Sequence, residues 1–272
     1  MDTTIIPSLA SRLLLPRAAL SSRCATLRHH RLGQRLVVGL TAAFLISVTA
    51  GSAAGAGIRA RVQATQQLAV LLTAHSAHQG PEARFPQVAL VTARRPITGE
   101  QTILPVIGHS TGPGGVRWLK VMLPGRPDGS TGWIAAQGTR RLVTGWHIMV
   151  DLAGRRVSIY RDGRVVRTFQ AVVGKPSTPT PTGQFFVEET VQMAPGHPGG
   201  PFALALSARS NALQEFEGGP GQIALHGRIN LTGALGTAAS HGCVRLDTAG
   251  IDWLAARIGP GTPTTIYADH HA

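Results

Sequence analysis

The chain has 272 residues, and its 26 Lys+Arg against 13 Asp+Glu give a formal net charge of +13. That length accommodates about two ordinary domains and a leader, and the charge favours an anionic setting such as nucleic acid, lipid headgroups or an acidic polymer. Nucleic acid is excluded as the expected partner, because aromatics make up only 5% of the chain and no basic run is interleaved with stacking rings.

In chain order, Arg28, His29, His30, Arg31 and Arg35 precede an uncharged run from Leu36 to Ala56 that ends in Gly, Ala and Ser. A basic front, an apolar centre and a small-residue tail form the pattern of an export signal. The run also reaches the roughly 20 residues that a helix needs to cross a bilayer. Residues 1–57 are therefore read as a cytoplasmic leader with a signal peptide or helical membrane anchor. The basic flank keeps the N-terminus inside and places everything after Gly57 outside, in the periplasmic space or cell wall.

The next stretch, 58–85, is read as a stalk or linker. From Ile58 to about Ala77 it is rich in Ala and Gln, with Val62, Leu68, Leu71 and Leu72 at spacings that suit a short helix. Over 86–140 the pattern changes to short apolar runs, 88–91, 103–107 and 118–123, separated by Gly, Pro and Ser turns, which predicts a small all-β unit. Residues 116–134, including Gly132-Trp133-Ile134, resemble the closing strands of a bacterial SH3-like barrel. Trp118 and Trp133 suit a ligand groove or, more commonly in so small a barrel, its core.

Residues 146–268 read as a second β-rich domain. Strands are expected over 147–152, 157–160 and 164–173. The Arg161-Asp162-Gly163 step supplies the positive φ of a tight hairpin turn. The run Thr178-Pro179-Thr180-Pro181-Thr182-Gly183 is too proline-dense for regular structure and is placed at a sheet rim. A strand follows over 184–188. Met193 to Pro201 forms a Gly/Pro loop that suits a substrate flap or a plain surface excursion. Asp252 to Ile258 is the one expected helix near the end of the chain.

The chemistry converges on His226 and on Ser240-His241-Gly242-Cys243-Val244-Arg245. Cys24 falls in the leader, so it cannot form a disulfide with Cys243 across the membrane. An odd cysteine in an oxidising compartment calls for intermolecular pairing or a reactive role. A neutral thiol is a weak nucleophile near pH 7 and needs a neighbouring base, for which His226 and His241 are the candidates. Gly242 favours a tight turn, in which the amides of Gly242 and Cys243 point together as a nest for an oxyanion, and His226 is then the better base. Arg245, two residues past the thiol, is placed to grip a substrate carboxylate, with Ser240 counted beside it as a substrate contact.

With those residues in view, the domain resembles the L,D-transpeptidases, the YkuD family of cell-wall cross-linking enzymes. The resemblance is carried by Ile223-Ala224-Leu225-His226-Gly227, by Ser240 to Arg245 and by the Thr-Pro repeat. Thirteen residues separate His226 from Ser240, slightly fewer than the family's usual interval, which points to a trimmed loop. The resemblance implies a β-rich, sandwich-like catalytic domain that needs no cofactor or metal. Cys243 would attack the third residue of a peptidoglycan tetrapeptide stem and expel D-alanine, with His226 as proton carrier. The Gly227 carbonyl would orient the His226 ring, and the amides of His241, Gly242 and Cys243 would line the oxyanion hole. An amine from a second stem would complete a 3-3 cross-link, and water in its place would make the site a carboxypeptidase. Carbapenems are the expected inhibitors, and anionic wall polymers and the membrane face are the expected partners of the basic surface.

Two other readings share these residues. His226, His241 and Cys243 as zinc ligands would describe a metallo-amidase, although no glutamate stands in the motif as general base. A non-catalytic wall-binding protein would use the SH3-like unit and the basic surface alone. His147, His197 and the terminal His270-His271 lack chemical neighbours in the sequence and are read as filler.

Overall fold

The computed structural model describes residues 62–216 and 218–268. The leader and anchor expected over 1–57 and the pair His270-His271 lie outside these residues. Among the described residues no helix is long and apolar enough to cross a membrane. The described chain is mostly β and is built on two sheets.

The first sheet takes β1 (Gln66–Leu71), β2 (His75–His78), β3 (Gln87–Val91), β4 (Ile103–Thr111), β5 (Arg117–Met122), β6 (Thr131–Ala135) and β7 (Thr139–Thr144). Their order is β3-β2-β6-β5-β4-β1-β7. β3 and β7 stand at its edges, so the pairing does not itself draw the closed SH3-like barrel expected over 86–140. Trp118 is buried and meets His78 edge-on at 5.9 Å between ring centroids.

The stretch read as a helical stalk carries two of these strands, a correction with a physical cause. β1 lies between β4 and β7 and is covered on both faces. Ala69 and Leu71 enter the core of this sheet. Leu68 points the other way, where a Cβ on Gly261 of the second unit would come 3.1 Å from its Cδ1. A strand buried on both faces shows a continuous apolar run rather than alternation. Leu72, which would complete the helical stripe, is exposed.

The second sheet comprises β8 (Trp146–Asp151), β9 (Arg156–Arg161), β10 (Arg164–Gln170), β12 (Gly183–Gln192), β13 (Phe202–Arg209), β14 (Gln222–His226), β16 (Val244–Arg245) and β17 (Pro263–Tyr267). Its order is β10-β9-β8-β17-β12-β13-β14-β16, and β11 (Val173–Gly174) pairs separately with β15 (Ala238–Ser240). The β9–β10 hairpin turns where the Asp-Gly step predicts, with Asp162 at φ 51° and Gly163 at φ 78°. Helix α1 spans Thr248–Ala255, starting before the Asp252 read from the sequence. Asp247 is its N-cap, and its side chain accepts from the Gly250 amide at 2.7 Å. Ile251 and Leu254 pack from the helix into the core.

β12 joins the two units. Successive strand side chains point to opposite faces, so the adjacent pair Phe185-Phe186 divides: Phe185 belongs to the core of the second sheet and Phe186 to that of the first. Glu188, fully buried, pairs with Arg95 of the first unit and with Arg209 on β13, at 3.0 Å. Glu189 accepts from the Thr98 amide and hydroxyl at 3.0 and 2.9 Å.

Candidate active site

β14 alternates strictly, with Ile223 and Leu225 buried in the core while Gln222, Ala224 and His226 face outward. β16 runs parallel beside it, His226 opposite Arg245 and Leu225 opposite Val244. The same alternation buries Val244 and Leu246 and turns Cys243 and Arg245 to the side on which His226 lies. Two short parallel segments thus bring together residues nearly twenty positions apart. Cys243, His226, His241 and Arg245 line one cleft of about 580 Å³. Clefts of about 600 and 650 Å³ lie on the first sheet and against both sheets, but neither is lined by a cysteine. Chemistry, not size, singles out the site.

The turn from Ser240 to Cys243 is held from within and from behind. The Ser240 hydroxyl donates to the Cys243 carbonyl at 2.6 Å and accepts from the Gly242 amide at 3.1 Å. Gly242 has φ +123°, a conformation that L side chains rarely adopt, and a Cβ there would come 3.0 Å from Ile223 Cδ1. Behind the turn, Thr178 Oγ1 donates to the Ser240 carbonyl at 3.2 Å, and Thr180 Oγ1 donates to the Gly242 carbonyl at 2.7 Å. Thr180 Oγ1 also accepts from the Gly174 amide at 2.9 Å. The Thr-Pro run therefore braces the turn. Ser240, expected at the substrate, is fully buried with its hydroxyl spent on the turn. The Gly242 amide, expected in an oxyanion nest, is engaged by that hydroxyl.

The His226 ring is oriented by its own chain. Nδ1 donates to the Gly227 carbonyl at 2.6 Å, which leaves Nε2 as the acceptor nitrogen. Burial pushes the pKa of His226 below the ordinary imidazole value; the Gly227 bond opposes that shift and the Arg245 charge adds to it. That direction favours the neutral ring. Gly199 makes room for the ring, since a Cβ there would come 2.7 Å from Nδ1, and Gly227 makes room for the Gly200 carbonyl, which a Cβ there would meet.

Arg245 is buried at 8% exposure, and its Nη1 donates to the Thr232 carbonyl at 2.9 Å. Its Nε is buried with no hydrogen-bond partner. Burial lowers its pKa, and the interaction with Cys243 opposes that shift. The Cys243 Sγ lies 3.9 Å from the Gln222 carbonyl oxygen. His241 is exposed and packs against Phe216, with ring centroids 5.8 Å apart.

Met193, His197 and Pro198 bring the Gly/Pro loop, read as a substrate flap or a surface excursion, to the cleft rim. That loop is tied down by the Gly199 amide to Ile229 O, 2.9 Å, and by Asn230 Nδ2 to Gly196 O, 2.9 Å. Ser210, Leu213 and Phe216 form the opposite wall. None of these carries a signal beyond its loop composition. Among the described residues no group of three or more His, Cys, Asp or Glu side chains is arranged to hold a metal ion, which is the arrangement the zinc reading needs.

Comparison with known proteins identifies the family of the domain that carries the cleft. Residues 145–266 match the family model of the YkuD L,D-transpeptidase catalytic domain. The chain is 30% identical over 146 residues to YkuD of Bacillus subtilis, covering 54% of this chain and 73% of that one. It is 32% identical over 121 residues to YkuD of Bacillus licheniformis, covering 44% of this chain and 65% of the relative. A crystal structure of a mutant Enterococcus faecium L,D-transpeptidase is 24% identical, with a TM-score of 0.36. That match covers 45% of this chain and 49% of the other, about half its length.

Proposed function

The chain belongs to the YkuD family of L,D-transpeptidases, and we propose that it forms 3-3 cross-links in peptidoglycan by acyl transfer through Cys243. The observation that carries this reading is the His226 ring, fixed by the Gly227 carbonyl with Nε2 left as acceptor, in the cleft that also holds Cys243 and Arg245.

His226 Nε2 takes the thiol proton as Sγ bonds to the carbonyl carbon of the third stem residue. The resulting oxyanion lies against the 241–243 turn. Because the Gly242 amide is engaged by Ser240, the oxyanion role shifts toward the amides on either side of it. Collapse breaks the bond to D-alanine, whose amine leaves with the proton from His226, and a thioester remains. The amine of a second stem then attacks, giving its proton to His226. The C–S bond breaks, and the cysteine recovers a proton. Splitting one amide exchange into two steps through a thiol is the gain of covalent catalysis. The buried Arg245 guanidinium, with Nε unpartnered, is suited to a substrate carboxylate.

Under this reading residues 1–57 export or anchor the protein, and the excess of Arg over acidic residues after Gly57 holds it to anionic wall polymer. Carbapenems acylate Cys243. The test is mass analysis of disaccharide tetrapeptides incubated with the purified protein. A dimer lighter than two substrates by one alanine, absent with Cys243→Ala, is expected. Tripeptide alone would make the protein an L,D-carboxypeptidase, and intact substrate would leave a wall-binding role.

A further inference from the structure

One wall of the active-site cleft is held by a residue of the other unit. Arg126, in the turn between β5 and β6, reaches across 84 to 94 residues of sequence. Its Nη1 donates to the Pro220 carbonyl at 2.9 Å, and its Nη2 to the carbonyls of Ser210 and Leu213 at 2.7 and 3.3 Å. All three acceptors belong to the segment from Ser210 to Gly221 that brings Ser210, Leu213, Phe216 and Gly221 to the cleft. Like-directed carbonyl dipoles repel, and a planar cation with several fixed donors is the group that gathers them. The same turn adds two further ties: Asp128 Oδ1 accepts from the Arg209 amide at 2.9 Å, and the Gly125 amide donates to Ser207 O at 3.3 Å.

Among the described residues the other hydrogen bonds of this segment lie within it. Its neck is closed by the Ser210 amide to Gly221 O at 2.8 Å, and its tip folds on itself through reciprocal bonds between Phe216 and Gly219 at 2.9 and 3.0 Å. Phe216, at the tip, packs on His241, next to Gly242 and Cys243. The wall that borders the nucleophile thus takes its position from the first sheet.

We propose that Arg126 is a positioning residue for donor binding, so that the N-terminal unit sets the affinity of the active site for its stem peptide rather than acting as a spacer. This rests on the transpeptidase reading for the identity of the donor, but not for the brace itself. The Cys243–His226 constellation hangs on β14, β16 and the Thr178–Thr180 brace. Loss of Arg126 therefore affects binding and leaves the chemistry intact.

The test compares wild type, Arg126→Ala and Arg126→Lys in the exported protein, residues 58–272. With tetrapeptide donor, Arg126→Ala is expected to raise KM about tenfold, the effect of about 1.4 kcal/mol, with kcat within about twofold. Arg126→Lys keeps the charge but loses the fork and falls between. Hydrogen exchange at the Ser210, Phe216 and Gly219 amides should quicken about tenfold, while β14 amides and the iodoacetamide rate at Cys243 stay at wild-type values. Unchanged KM with unchanged exchange overturns the proposal, as does faster exchange spread evenly through β14 and the core. If wild type turns over no donor, the functional reading fails; the exchange pattern then still decides whether Arg126 holds this wall.

Discussion

A thiol with an ordinary pKa of about 8.5 is mostly protonated at neutral pH, so the reactivity proposed for Cys243 depends on a base that stays neutral there. Burial lowers the His226 pKa. A lowered imidazole pKa extends the neutral, proton-accepting form to more acid solution. The acid limb of kcat/KM is therefore expected below pH ~6.5, the ordinary imidazole value. A limb at or above pH 7 would remove His226 as the base. The same shift carries a stability sign: the unfolded chain binds this proton more readily, so stability is lost as pH falls below about 6.5. At this scale the sequence was informative. His226, His241, Cys243 and Arg245 stand in one cleft because a period of two on adjacent parallel segments is legible in Ile223 to Gly227 and in Cys243 to Leu246. For Ser240 the sequence is silent, since a hydroxyl next to a nucleophile looks the same whether it meets substrate or ties its own turn, and here it bonds within the turn.

The Thr-Pro run shows what an element does that its composition hides. Proline density says only that 178–183 lacks regular structure; the threonines between the prolines carry the function. Thr180 Oγ1 serves two buried backbone groups, the Gly174 amide and the Gly242 carbonyl. Thr180→Val keeps the shape and leaves both unsatisfied, at a cost of roughly 2–4 kcal/mol. A lower Tm and a drop in kcat/KM of about tenfold or more are expected, because small displacements of a nucleophile are expensive. Wild-type values for both would show that the turn holds itself. The β1 strand is the opposite case. Its apolar spacing fits one face of a helix, and only tertiary cover on both faces makes it a strand, which no local pattern in Gln66 to Leu72 declares. α1 began earlier than read because Asp247, a common N-cap type, was not credited.

Across the whole molecule, β12 and the 125–128 turn make the two units interdependent. Phe186 and Glu188 commit the second sheet to the first, and neither commitment is visible in a sequence divided at 140 and 146. His147 lies in a cleft along this seam, with Ile107, Met122 and Thr131 of the first unit among its lining residues. The Thr265 hydroxyl gives its proton to Gln184 Oε1 at 2.7 Å, so His147 Nε2–H donates to Thr265 Oγ1 at 2.9 Å. Burial brings His147 down to about 4. Its neutral form supports the fold fully above pH about 6.5, and that support is lost as pH falls toward 4, by at most about 3 kcal/mol. His147→Gln keeps a donor to Thr265 and should flatten the fall of the urea midpoint over that window; an unchanged slope would place the acid sensitivity elsewhere. The central claim, that Cys243 is the acylated nucleophile, is tested most directly by intact mass after exposure to imipenem. One adduct mapped to Cys243, lost in Cys243→Ala and slowed in His226→Ala, is expected; an adduct that persists without Cys243, or none on the wild type, would contradict the account.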